Sequence, residues 1–252
     1  MFISVCVNTC DRHAYLWRLL TSLWAQTHAD FEIMIVDDGD KPCLENCEVQ
    51  KAIAALDERG IPVTVHKNES RLGLAVSRNI ACDMASSGMV AKFDDDHYCD
   101  ADCIGRLSSA GEEYPDAGCI GMVFPFVRDG VKIRDSWPEI FGDVSTPGWE
   151  DQQLFIYPPN APDVIPAQTV RGLMLYRRDP EICHDERLSP ISHREDTIFS
   201  TEYLRRGYQN YVCVRAIAWH LYAQKGGCRS FSPKEASRQR QEDEEIYRKY
   251  IK

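Results

Sequence analysis

Met89-Val90-Ala91-Lys92-Phe93-Asp94-Asp95-Asp96-His97 is the stretch on which the fold turns. Val90, Ala91 and Phe93 predict a short buried strand, and three carboxylates directly after it need a strand end that opens into water or onto a cation. Side chains alternate along a strand, so Asp94 and Asp96 are predicted on one side and Asp95 on the other. A hard divalent ion such as Mn²⁺ or Mg²⁺ suits Asp96, with Asp94 placed for a neighbouring ligand, and such ions keep positions open for phosphate oxygens. Taken alone, the triplet is equally well read as a solvated acidic turn.

The flanking sequence decides between these. Phe2 to Val7 reads as a buried strand that stops at Asn8-Thr9-Cys10-Asp11-Arg12, and Leu16, Leu19, Leu20 and Leu23 repeat at helical spacing behind it. A second strand, Phe31 to Val36, ends in Asp37-Asp38-Gly39-Asp40. Helix 51–59 stops at Gly60, Pro62 to His66 is a third strand, and a helix from Gly73 to Ser86 leads into Met89. Strand and helix alternating in this way predict an α/β fold with a mostly parallel central sheet flanked by helices, whose ligands bind at the carboxyl ends of the strands. The three polar strand ends should therefore meet in one crevice. No GxGxxG or Walker loop is present, so ordinary dinucleotide and P-loop binding lose ground.

Composition narrows the class further. The 252 residues suit one large domain, and a net charge of −10 opposes general polyanion binding, which depends on Lys and Arg. The first residues lack a basic leader and no apolar run nears a bilayer's thickness, so a cytoplasmic location is expected. Eleven cysteines without a CxxC pair read as reduced structural residues. Beyond Asp100, a helix from 100 to 107, strands 119–124, 169–176 and 211–218, and a helix 195–206 are predicted. The segment 128–168, rich in Pro and aromatic residues, reads as a loop-rich insertion, and 233–252 as a charged C-terminal helix or tail.

In order, Ile3 to Arg12, Phe31 to Gly39, Asn68 to Asn79, Phe93-Asp94-Asp95-Asp96 and Arg194-Glu195-Asp196 resemble the motif set of family 2 glycosyltransferases of the GT-A fold. The similarity covers residues 1 to 105 and returns at about 190 to 222. It implies a single GT-A domain over 1–232, with a nucleotide-sugar half at 1–105 and an acceptor half at 106–232. It also implies inverting transfer from a nucleoside-diphosphate sugar, with UDP preferred by family frequency and a divalent ion at the diphosphate. Carried over by residue, Asp38 would meet the base, Thr9 and Arg12 the nucleoside, and Arg71 the base or diphosphate. Asp94 would meet the ribose, Asp95 belongs to the same donor set, and Asp96 would bind the metal, joined by His220. Asp196 would be the general base, and Glu195 its neighbour, positioning acceptor or donor sugar. His97 is expected to face away from Asp96, toward the acceptor side or solvent.

The resemblance leaves the acceptor open. Trp137, Phe141, Trp149, Phe155 and Tyr157 suit stacking on sugar rings or bases. Seven acidic residues against Arg128, Lys132 and Arg134 in the same segment favour a saccharide or protein hydroxyl over a modified nucleobase in DNA. A mobile flap over the donor is expected there. A nucleotidyltransferase would want glycines after the first strand, which Asn8 to Arg12 lacks. A silent sugar-nucleotide or glycan-binding module would have lost the Asp triplet or the base.

Overall fold

The computed structural model of the chain describes residues 1–128, 131–132 and 152–250. β1 (Ile3–Thr9) and β2 (Phe31–Asp37) are buried along their whole length, as strands covered on both faces must be, whereas β3 (Val63–Lys67) is only partly covered. β3 forms one edge of a nine-stranded sheet that runs β3, β2, β1, β4 (Met89–Asp94), β10 (Met174–Arg177), β6 (Ala117–Val123), β11 (Gln209–His220) and β5 (His97–Cys99), with β9 (Val164–Ala167) beside β11. β3 to β4 are all parallel, while β10 enters antiparallel between β4 and β6. Two short strands, β7 (Val127–Arg128) and β8 (Val131–Lys132), pair with each other apart from this sheet.

Register brings the predicted strand ends together. Thr9 lies opposite Asp37 and Asn8 opposite Asp94, so the three polar strand ends share one edge of the sheet. β11 runs beside β6, shifts register between Cys213 and Ile217, and then pairs with β5, which sets His220 opposite His97. That shift carries the last strand to the Asp triplet. Neither β5 nor β9 is predicted from sequence, since three residues carry no period and β9 contains Pro166.

α1 (His13–Trp24) buries Leu16, Leu19, Leu20 and Leu23, the predicted face. α2 (Cys47–Glu58) starts earlier than predicted because the Asn46 side chain caps it, accepting from the amides of Glu48 at 3.0 Å and Val49 at 3.1 Å. α3 (Leu74–Met84) and α4 (Cys103–Glu113) flank the parallel half. One hydrophobic cluster links Ile3, Leu20 and Ile33 to Leu107, Leu175 and Ala218. α5 (Glu195–Arg205) carries the Glu-Asp pair. α6 (Pro233–Tyr250) is more than the solvated tail its charge suggests, since Ala236, Gln239 and Asp243 are buried against the domain.

Among the described residues no helix is long and apolar enough to cross a membrane. About half of the flap expected over 128–168, Trp137, Phe141 and Trp149 included, lies outside the described residues. Within its described part, Tyr157 is buried and its hydroxyl donates to the Gln152 carbonyl at 2.9 Å.

Candidate active site

At the shared strand edge lies a cavity of about 120 Å³ whose wall includes Thr9, Arg12, Asp38, Arg71, Asp94 and Asp95. All six residues assigned to the donor therefore line one space. Leu74, Ser77, Pro190, Ile191, Gly227 and Cys228 complete much of the rest, and none of these was singled out from sequence.

Asp38 is held by its neighbours. Its Oδ1 accepts from Asn68 Nδ2 at 2.8 Å and the Leu72 amide at 2.7 Å, and its Oδ2 from the Gly73 amide at 2.9 Å. A carboxylate oxygen has two acceptor positions, so Oδ2 keeps one for a further N–H. Asp37, fully buried, instead closes the turn after β2, accepting from the amides of Gly39 at 2.9 Å and Cys43 at 2.6 Å.

The Asp triplet is arranged otherwise than strand alternation predicts. β4 ends at Asp94 and the next two residues turn, which ends the period of two. Asp94 points to Arg78, 2.7 Å away, while Asp95 and Asp96 both meet Arg12, at 3.2 and 3.5 Å. Thr9 Oγ1 also donates to Asp95 at 2.7 Å. Burial pushes the Asp95 carboxyl up, to about 7, against the opposing charge of Arg12. For Asp96 burial pushes the same way, but the His220 hydrogen bond and the charges of His97, His220 and Arg12 outweigh it and hold the group below the ordinary carboxylate range. Arg12 also donates through Nε to the Lys225 carbonyl at 3.1 Å and through a terminal nitrogen to the Gly226 carbonyl at 3.0 Å. It lines the cavity chiefly as a clasp between the triplet and the loop after β11.

Asp96 Oδ2 accepts from the Ala223 amide at 3.0 Å and lies 3.3 Å from His220 Nε2 and 3.6 Å from Arg229. Ligands of a small octahedral ion sit about 3 Å apart, so Asp96 and His220 fit as neighbouring donors to one hard cation. Among the described residues no third His, Cys, Asp or Glu joins them, so the other positions would fall to water and substrate oxygens, and Arg229 would have to yield. His97 corrects the expectation for it. Its ring is buried, stacks on His220 with centroids 4.6 Å apart, and lies 3.6 Å from Asp96. Burial first, and the His220 charge next, push it down to about 4.

Glu195 and Asp196 part company at the start of α5. Asp196 is half-buried, with Oδ2 accepting from the Gly172 amide at 2.5 Å and Oδ1 from the Thr197 amide at 2.7 Å. Glu195 is buried among Arg78, His184 and Lys92, the last at 3.4 Å. Lys92, inside β4, was missed by sequence reasoning although a lone cation in a buried run was the available signal. Burial, then the Arg78 charge, push its ammonium down to about 7, and the charges of Asp196 and Asp94 act on it from the other direction. Arg78 thus bridges Asp94 on the donor wall to Glu195 beside Asp196.

The family model for glycosyl transferase family 2 matches residues 4–179. The chain is similar to a glucosyl-dolichyl phosphate glucuronosyltransferase of Haloferax volcanii, 29% identical over 119 residues, 47% of this chain and 36% of the relative. It therefore spans about a third of that protein's length. Among solved structures, S. aureus TarS 1-349 in complex with UDP-GlcNAc aligns with a TM-score of 0.65 at 18% identity, covering 95% of this chain and 64% of TarS. GalNAc-T7 with UDP, GalNAc and Mn²⁺ aligns with a TM-score of 0.69 at 16% identity, covering 88% of this chain and 44% of that one. At such identities these likenesses establish the fold, which is GT-A.

Proposed function

The chain belongs to glycosyl transferase family 2, and on that footing we propose that it moves a sugar from a nucleoside-diphosphate sugar, UDP-linked in the first instance, to an acceptor hydroxyl with inversion. The observation that carries the reading is the single cavity lined by Thr9, Arg12, Asp38, Arg71, Asp94 and Asp95.

In this account the free acceptor position on Asp38 Oδ2 takes a base N–H, and Thr9 and Asp94 border the sugar of the nucleoside. Arg71 sits at the mouth, where its guanidinium donates to the Gly227 carbonyl at 2.8 Å, and offers positive charge to the diphosphate. A divalent ion held by Asp96 and His220 would add Lewis-acid charge to the departing diphosphate. Asp196 accepts the acceptor's proton as the acceptor oxygen bonds to the anomeric carbon, and the bond from that carbon to the diphosphate oxygen breaks with its electron pair. Glu195, walled in by Arg78, Lys92 and His184, sets the position of α5 and its Asp196.

Replacing the base separates binding from chemistry. Asp196→Asn keeps the shape and should leave nucleotide affinity near wild type while transfer falls by a factor of order 10² or more. Normal turnover in that variant would remove Asp196 from the reaction.

A further inference from the structure

Asp243 lies on α6, outside the stretch that matches the family model, and its residue is completely buried. A carboxylate with no exposure needs partners, and among the described residues the hydrogen bonds it accepts come from a single loop. Oδ1 accepts from the Ser189 amide at 2.7 Å, and Oδ2 from the Ser189 hydroxyl at 2.8 Å and the His193 amide at 2.7 Å. One turn earlier on α6, Gln239 Oε1 accepts from the Ile191 amide at 3.3 Å. α6 therefore grips 189–193 at three successive odd positions.

The gripped loop is strained and well placed. Ser192 has φ 53 and Arg194 φ 68, a left-handed backbone that non-glycine residues hold only when their surroundings over-determine it. Pro190 and Ile191 form part of the cavity wall. The loop also touches the start of α3, where the Ala75 amide donates to Ser192 Oγ at 3.2 Å and the Leu74 amide reaches the Pro190 carbonyl at 3.4 Å. Asp196 follows two residues after Arg194. One carboxylate on α6 thus fixes a segment that closes the cavity at one end and leads into Asp196 at the other.

We infer that Asp243 is a positioning residue: through Ser189 and His193 it holds the 189–194 loop in the shape that completes the donor cavity and sets the start of α5. The inference rests on the reading of that cavity as a donor site, and its test keeps the two apart. In Asp243→Asn one acceptor oxygen becomes a donor, so at least one of the three hydrogen bonds is lost. On the full chain, amide exchange within 187–199 should accelerate about tenfold while β1 and β4 are unchanged, and UDP with Mn²⁺ should bind roughly tenfold more weakly, the effect of one buried charged hydrogen bond.

Unchanged exchange in 187–199 would overturn the inference. So would faster exchange with UDP affinity within twofold of wild type, which is the signature of mere helix packing. If Asp243→Asn does not fold, Gln239→Ala carries the same two measurements with expected factors of about threefold, and wild-type values for both would again overturn it. If the wild type binds neither UDP nor GDP, CDP or dTDP, the donor reading fails, and the exchange result alone decides whether Asp243 holds the loop.

Discussion

Asp96 Oδ2 and His220 Nε2 lie 3.3 Å apart across 124 residues of sequence, one in the turn after β4 and the other at the end of β11. Arg12 and Arg229 approach the same carboxylate at 3.5 and 3.6 Å, so two guanidinium charges converge on it. On the proposed reading, a diphosphate brought beside Asp96 is repelled by that carboxylate unless a cation lies between them.

UDP at about a hundred times its dissociation constant should therefore stabilise the protein by about 2.7 kcal/mol with Mn²⁺, roughly 5–10 °C in a melting curve, and by far less in EDTA. Asp96→Asn should erase the difference between the two conditions. Equal stabilisation in EDTA would place the diphosphate away from Asp96.

Gly73 sits at φ 91 and ψ 168, a region open almost only to glycine, and its amide donates to Asp38. A Cβ there would lie 3.0 Å from Pro190 Cα, which is backbone that cannot swing aside. Gly73→Ala should cost about 1–3 kcal/mol in unfolding free energy and weaken nucleotide binding together with it, because the strain falls on the brace of Asp38. A variant with wild-type urea midpoint and affinity would separate this glycine from the site.

Glu32 Oε1 accepts from Ser4 Oγ at 2.6 Å and from the Ser86 amide and hydroxyl at 2.8 and 2.6 Å. Burial alone would raise its pKa, but these bonds to Ser4 and Ser86 win and lower it below 4.5. A depressed carboxyl adds stability above its unfolded value and loses it as pH falls through its folded value. Glu32→Gln should thus cost about 1 kcal/mol at pH 7, and the gap should close as pH drops below 4.5. A gap that stayed constant from pH 7 to 3 would deny the charge any part.

Much of this site could be read in the sequence because parallel register is a local consequence of strand and helix alternation. Once β1, β2 and β4 are parallel neighbours, Thr9, Asp38 and Asp94 must share an edge. The turn at Asp95-Asp96 breaks the strand period, so His97 lies against Asp96 and does not face away from it. Lys92, Arg229 and Asp243 were not legible as site residues. The burial of Lys92 depends on Glu195, 103 residues away, and that of Asp243 on Ser189, 54 away. Such partners come together only through the fold.

Calorimetric titration of UDP, GDP, CDP and dTDP in Mn²⁺ tests most directly whether the cavity is a donor site. One of them, UDP in the first instance, should bind with one site per chain, and Asp38→Ala and Arg71→Ala should each weaken that binding about tenfold or more through lost charged hydrogen bonds. Failure of all four to bind, or binding that survives both substitutions unchanged, would contradict it.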